Sequence, residues 1–238
     1  MKSLLLFFTF TVLLWGESFT FVTGKNNVAQ KVSSIIVEKA YKRAGFNTKI
    51  QFLPLQEALN LSKSGRVDGE VARIENITKY APDLRIVPIT IMSVEAIAFS
   101  KKDIVIGSWN DLKDYNLTIV KGAKFIEIAC KNLDKNLVTT FKEAAENLYH
   151  DKTDVIVIPK LAMYNLRYQY GYKEIKRVSH VLKKMKLYHF VHKKNKHLVP
   201  IITPILEKMR DSGELYYLRK SYLRSITPKK RKKVNRTF

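Results

Sequence analysis

The chain has 238 residues, with 43 Lys and Arg against 21 Asp and Glu, and therefore a formal net charge of +22. Its 46% share of hydrophobic residues is enough for a folded core, and its 9 Gly and 7 Pro exclude a collagen-like, low-complexity or wholly disordered chain. The single cysteine, Cys130, cannot form an intramolecular disulfide, and no Cys and His residues have the spacing of a structural zinc site. The length fits one large domain or two small ones.

The amino terminus has the pattern of a secretory signal peptide. Met1-Lys2-Ser3 is a charged start, residues 4–15 are an apolar run, and Gly16-Glu17-Ser18 is a small-x-small cleavage site. The apolar run is shorter than the about 20 residues that cross a bilayer. An uncleaved amino-terminal anchor is the alternative. Both interpretations place the rest of the chain outside the cytoplasm, and we predict a periplasmic protein with residues 1–18 as its signal peptide.

The carboxyl terminus, residues 224–238, is a basic tail with seven cations and no acid. Taken alone, the run Lys229 to Lys233 would suggest a nuclear signal or a nucleic-acid-binding arm. An export signal argues against a nucleic-acid partner. We therefore predict a disordered tail that contacts an anionic membrane or wall surface.

The first part of the mature sequence alternates strand and helix patterns. Phe and Thr alternate over residues 19–23, which predicts a strand, and apolar residues then follow at helical spacing from Val28 until Gly45. Further patterns predict strands over 48–53 and 67–74 and a helix over 55–63. Parallel strands need a long crossover, which is usually a helix. The order therefore predicts an α/β fold with a parallel sheet covered by helices.

The rest of the chain repeats this alternation after a less regular stretch. That stretch has extended segments at 86–87 and 91–99 and a surface connection at 103–114 with a short helical piece at 109–112. The later elements are predicted strands at 117–120, 137–141, 155–158 and 187–191, helices at 123–131, 143–150 and 161–170, and a helical region at 198–223 that breaks near Gly213.

Five short strings resemble, by their order and spacing over residues 19–223, the landmarks of the periplasmic solute-binding proteins of family 3, the polar-amino-acid-binding type of bacterial transport systems. The strings are Leu53-Pro54-Leu55, Gly65-Arg66-Val67-Asp68-Gly69, Asp111-Leu112-Lys113, Val120-Lys121-Gly122-Ala123 and Thr153-Asp154-Val155-Ile156-Val157-Ile158. The resemblance implies a two-lobed Venus-flytrap, or type 2 periplasmic binding, fold.

The same resemblance implies how the lobes are divided. Lobe 1 would hold residues 19–99 and 187–223, and lobe 2 residues 100–186. Two hinge crossings, near 98–100 and 186–188, would let the lobes close around a small solute.

Ligands of open parallel sheets lie beyond the carboxyl ends of the strands, which selects candidate site residues. Thr23 ends the first strand and Arg73 lies at the end of the third. The guanidinium of Arg73 offers a planar fork of donors that matches a carboxylate, and its apolar neighbours would partly desolvate the pair. A salt bridge within the protein, to Glu70, Glu75 or Asp83, is the alternative.

Three further candidates come from the second half of the chain. Gly122-Ala123-Lys124 opens a helix whose backbone N–H groups could bind an anionic group, with a structural turn as the alternative. Lys160 opens the helix after the apolar strand at 155–158. Tyr164 belongs to a tyrosine-rich segment in which one ring could stack on a ligand, whereas packing is the alternative for most of these rings.

The sequence departs from the family at two binding positions. The resemblance implies an acidic residue after the strand at 155–158, where Pro159 stands, and a Thr-x-x-Arg segment, where Thr78-Lys79-Tyr80-Ala81 has no Arg. These departures favour a carboxylate or another anion over an ordinary amino acid. Its cationic partners would be Arg73, Lys124 and Lys160.

We therefore predict a monomeric, non-enzymatic protein without cofactor or metal, which binds a small polar or anionic solute for an ABC-transporter membrane component or a sensor. The alternative is an enzyme on the same fold, such as a periplasmic dehydratase of the cyclohexadienyl type with Glu70, Glu75 or Glu95 as general acid. A third possibility is an adhesive protein that acts through its tail.

His189 and His192 are three residues apart on a predicted strand, so their side chains point to opposite faces, which argues against joint metal binding. Cys130 is predicted to be a buried, inert thiol within a helix.

Overall fold

The computed structural model describes residues 17–25 and 27–226. The predicted signal peptide lies outside the described residues except for Glu17 and Ser18, and the predicted tail lies outside them after Ile226. None of the helices in the described ranges is long and apolar enough to cross a membrane.

The strands are β1 Ser18–Gly24, β2 Asn47–Leu53, β3 Gly69–Ile74, β4 Leu84–Ser100, β5 Leu117–Val120, β6 Asn136–Val138, β7 Val155–Pro159, β8 Lys176–Arg177 and β9 Lys183–His192. The helices are α1 Val28–Arg43, α2 Leu55–Lys63, α3 Lys124–Ala129, α4 Phe141–Tyr149, α5 Lys160–Tyr170, α6 Leu198–Asp211 and α7 Glu214–Ser225.

The strands join in the order β2-β1-β3-β9-β4-β7-β5-β6, with β8 beside β4. The pairs of β1 with β2 and β3, and of β5 with β6 and β7, are parallel, as the alternating pattern predicts. The long strands β4 and β9 pair antiparallel with each other and link the two parallel groups. Hydrogen bonding between strands is thus continuous across the whole sheet through β4 and β9. The side chains that pack on the sheet nevertheless form separate hydrophobic cores.

Two large hydrophobic cores form on the two parallel groups, and a third, small cluster joins β1 and α2. The first core contains α1, α6 and the inner faces of β1 and β3, and the second contains α4, α5, β5 and β7. Along β4, Val94 packs in the first core and Ala96 already packs in the second. The change of core on β4 therefore falls at Glu95, earlier than the predicted crossing near residue 99. The lobe boundaries at residues 99 and 187 stay a prediction.

Two elements differ from the sequence prediction for local reasons. The predicted strand at 137–141 ends at Val138, because the hydroxyl of Thr140 accepts a hydrogen bond from the Glu143 N–H and caps α4. The segments at 86–87 and 91–99 are one strand, β4, which pairs with β9 on both sides of an irregularity beside Pro88. The two-residue strand β8 carries no pattern that the sequence could have shown.

Candidate functional site

A small cavity lies where the two cores meet, at the carboxyl ends of β3, β5 and β7. Its walls are Asn27, Gln30, Leu55, Ala72, Arg73, Ile74, Ile77, Val94, Gly122, Ala123, Lys124, Phe125, Phe141, Pro159 and Leu187. Ten of these side chains are apolar, and four are polar or charged. The predicted site residues Arg73, Gly122, Ala123 and Lys124 are among them. Chain segments more than 150 residues apart along the sequence thus form one site.

Arg73 is buried at 5% relative exposure and is bonded within the protein. Its Nε donates to the carboxylate of Glu70, one Nη donates to the carbonyl oxygen of Gly122 at 2.9 Å, and the other donates to the carbonyl oxygen of Leu55 at 2.5 Å. The other carboxylate oxygen of Glu70 accepts from the Ser62 hydroxyl at 2.8 Å. Of the two interpretations of Arg73, the structure therefore shows the internal salt bridge, with Glu70 as its partner.

The same arginine joins the two cores across the cleft. Gly122 follows β5 of the second group, whereas Arg73 and Glu70 belong to β3 of the first. The side chain of Leu55, at the start of α2, packs within the second core. The cleft, meaning the gap between the two parallel groups where the cavity lies, is therefore closed by a hydrogen bond within the protein, from Arg73 to Gly122.

Gly122 lies very close to the backbone at the start of α2. It has φ +89°, and a Cβ built on it would lie 2.4 Å from the backbone nitrogen of Gln56 and 2.7 Å from the carbonyl carbon of Leu55. Only glycine combines this positive φ with so close an approach to another backbone segment. The contact fixes how near the start of α2 lies to the loop after β5.

Gly122→Ala is expected to destabilise the protein by about 1–3 kcal/mol more than Gly45→Ala, or to separate the two groups. Gly45 has φ +83° and nothing within 4 Å of a built Cβ, so this control variant has the same backbone strain without the clash. Urea denaturation gives the stability difference, and small-angle scattering gives the separation as a larger radius of gyration. Equal losses together with equal radii would contradict the contact.

Two of the three backbone N–H groups of the loop Gly122-Ala123-Lys124 donate within the protein. The N–H of Gly122 donates to the carboxylate of Glu127 at 2.5 Å, and the N–H of Ala123 donates to the carbonyl oxygen of Val120 at 3.1 Å. The Lys124 ammonium is 2.5 Å from the other Glu127 oxygen. The bonds of Gly122 and Ala123 fit a structural turn, which was the alternative interpretation, and the anion site stays a prediction.

The remaining predicted site residues lie outside the cavity wall. Thr23 is buried and contacts the wall residue Gln30, because its hydroxyl donates to the Gln30 carboxamide oxygen at 2.5 Å. Lys160 lines a different pocket, and its ammonium is 3.5 Å from Glu95. Tyr164 is 45% exposed and does not line the cavity. The structure thus brings together four of the seven predicted residues.

Asn27 and Gln30 are polar wall residues that sequence reasoning missed. Asn27 is the N-cap of α1, and its side-chain oxygen accepts from the Ala29 N–H at 2.9 Å. Gln30 lies one turn later on α1. The pattern of a strand, then Asn, then a helix could have identified the pair, because α1 begins at the carboxyl end of β1.

A buried histidine supports the site from behind β3. His189 is fully buried, and its Nδ1 is 2.9 Å from the carbonyl oxygen of Glu70, which can only accept a hydrogen bond. Nδ1 therefore carries the proton, and Nε2, at 3.0 Å, accepts from the Tyr41 hydroxyl. Burial lowers the pKa of His189 to about 4 and raises the pKa of Tyr41 above its ordinary value. The imidazole is thus neutral and fixed in one tautomer.

Cys130 is buried, as predicted, but it follows the last residue of α3 rather than lying within that helix. Burial raises the pKa of its thiol to about 11, which keeps it protonated. The described residues contain no group of three or more His, Cys, Asp or Glu side chains placed to hold a metal ion.

Comparison with known proteins identifies the fold. No family model matches the sequence. An uncharacterized protein of Shewanella oneidensis is 21% identical over 202 residues, which are 79% of this chain and 75% of that protein. A histidine kinase sensor domain with similarity to periplasmic binding proteins has a TM-score of 0.76 at 14% identity, covering 87% of this chain and 96% of its own.

Two structures with bound arginine are similar to the chain to the same degree. An ancestral arginine-binding protein bound to arginine has a TM-score of 0.74 at 15% identity, covering 86% of this chain and 97% of its own. An amino acid ABC transporter substrate-binding protein from Streptococcus pneumoniae, bound to L-arginine, has a TM-score of 0.73 at 14% identity, covering 89% and 97%. The chain therefore has the two-lobed α/β fold of periplasmic binding proteins, which confirms the predicted fold class. The narrower assignment to family 3 stays a prediction.

Proposed function

We propose that this protein is an extracytoplasmic binding protein that captures a small solute in the cavity between its two cores. The observation that carries the proposal is the cavity itself, which has walls from both cores and lies at the carboxyl ends of β3, β5 and β7. The solute would bind while the lobes are apart and be enclosed when they close. The predicted signal peptide, periplasmic location and monomeric state belong to this proposal.

The partner of the loaded protein would be the membrane component of an ABC transporter or a sensor. The similar structures include a substrate-binding protein of an ABC transporter and a histidine kinase sensor domain, and both kinds of partner fit the fold. Contact between the basic tail and an anionic membrane surface would hold the protein near either one.

No observation favours the enzymatic alternative. It needs a carboxylic acid at the bound molecule, and none of Glu70, Glu75 and Glu95 lines the cavity. Glu70 is bonded to Arg73 and Ser62, and Glu95 lies with Lys160 in a separate pocket.

Thermal denaturation of the full chain against a panel of amino acids, organic acids and small neutral solutes tests the proposal. A solute that binds the folded state raises the midpoint by mass action, by an amount that grows with its concentration. The variant Ala123→Leu places a larger side chain in the cavity wall and is expected to abolish that rise. A panel without any stabilising solute, or a rise that persists in Ala123→Leu, would contradict the cavity as a solute site.

A further inference from the structure

The charged groups at the cavity are already neutralised by the protein. Arg73 is paired with Glu70, and Lys124 with Glu127, so the two pairs add no net charge to the wall. The side chains of Arg73 and Glu70 are 6% and 0% exposed. A charged solute would lose its hydration here without meeting an unpaired counter-charge, which is unfavourable for either sign.

The polar groups with open hydrogen-bonding capacity are mainly donors. The Gln30 carboxamide oxygen accepts from Thr23, and one N–H of the same carboxamide donates to the carbonyl oxygen of Ala72 at 3.3 Å. The Asn27 carboxamide oxygen accepts from the backbone of α1. One lone pair remains on each of these two oxygens, but the larger part of what the two carboxamides offer a solute is amide N–H, which requires an acceptor. The rest of the wall is apolar and suits a hydrocarbon body.

The cavity is also small. The space that the centre of a water molecule can reach is about 40 Å³. One water needs about 10–15 Å³ by this measure, so this innermost space has room for about three or four waters, whereas the concavity with its open mouth has an empty volume of about 410 Å³. Arginine, which the two comparison structures hold, is too large for the innermost space.

From charge, donors and size together, we infer that the cavity selects a small uncharged solute with an apolar body and a hydrogen-bond acceptor, of the class of short-chain amides; this rests on the proposed solute-binding function. It replaces the sequence-based expectation of an anion. That expectation depended on Arg73, Lys124 and Lys160 as unpaired cations, and each of them has a carboxylate partner.

A series of solutes with nearly equal size and different charge tests the inference on the full chain. The probes are propionamide, propionate and n-propylammonium at millimolar concentration, where a solute of about five non-hydrogen atoms can bind. Sodium chloride keeps the ionic strength equal across the series. The readout is the thermal denaturation midpoint, with dissociation constants from titration calorimetry. Propionamide is expected to bind more tightly than both charged solutes, by about tenfold or more.

The outcomes separate this inference from the proposed function. Tighter binding of propionate or n-propylammonium, abolished by Ala123→Leu, would overturn the uncharged class and leave the cavity as a solute site. A solute panel without any binder would overturn both. Ala129→Leu is the matched control for Ala123→Leu, because Ala129 is the last residue of α3 and does not line the cavity.

A second variant keeps the test informative where Ala123→Leu fails to fold. Val94→Ala removes two methyl groups from the cavity wall and enlarges the cavity. It is expected to shift the preference among neutral amides from propionamide toward butyramide. An unchanged order of the two amides would place their binding site elsewhere and overturn the inference.

Discussion

Replacing Arg73 by methionine is expected to open the cleft and to lower the free energy of unfolding by about 3–5 kcal/mol. The change removes the hydrogen bond to the carbonyl oxygen of Gly122, which joins β3 to the loop after β5, and the hydrogen bond to the carbonyl oxygen of Leu55 within the first group. It also leaves the carboxylate of Glu70 buried without its cation. Urea denaturation measures the loss of stability, and small-angle scattering measures the opening as a larger radius of gyration.

Two further variants separate the causes of this effect. Glu70→Gln/Arg73→Met leaves no unpaired charge and is expected to recover much of the stability while the cleft stays open, because the bond to Gly122 is still missing. Arg85→Met is the matched control, since Arg85 is exposed and donates only to carbonyl oxygens near it in the chain. A radius of gyration in Arg73→Met equal to that of the unaltered protein would show that this arginine does not hold the cleft closed.

Acidification from pH about 6.5 to about 4 is expected to cost the protein on the order of 3 kcal/mol of stability through His189 alone. Burial lowers the pKa of His189 to about 4, whereas the unfolded chain has a histidine pKa of about 6.5. Between these values the unfolded state binds a proton that the folded state does not, so stability falls as the pH falls. Above pH about 6.5 both states are neutral at this position and the contribution is complete.

The variant His189→Gln isolates this contribution from carboxylates that titrate in the same range. It is expected to be less stable at neutral pH, because it disturbs the contacts with Tyr41 and Glu70, and to lose less further stability on acidification. His197→Gln changes an exposed histidine at the start of α6 and is the matched control. Identical pH slopes for the unaltered protein and His189→Gln would show that His189 is not held neutral.

Much of the fold could be predicted because its signals are local. The apolar spacing from Val28 to Gly45 predicts α1, and the unbroken apolar run at 155–158 predicts β7, because each pattern matches the period of the element it forms. The alternation of strands and helices predicts the parallel groups of the sheet. The local sequence pattern did not predict that segments 86–87 and 91–99 form one strand, β4. That strand depends on its pairing with β9, which comes nearly a hundred residues later in the chain.

The candidate site was predictable only in position. The rule that ligands lie at the carboxyl ends of strands selected Arg73, Gly122, Ala123 and Lys124, and the structure brings all four to one cavity. The rule could not show whether the charged groups among them are free to bind a solute or are paired within the protein. Whether Arg73 faces a solute or Glu70 depends on side-chain direction and burial, and both interpretations use the same residues at the same spacing.

The sequence by itself thus determined that this chain folds as alternating α/β units, and it pointed to the edge of the sheet where their functional groups meet. Only the tertiary structure decided that Glu70 and Glu127 neutralise the cations there and that Gly122 brings the two cores into contact. The physical reason is that secondary structure follows from neighbours a few residues apart. The charge and volume of a cavity follow from groups that are distant in sequence and meet only when the chain is packed.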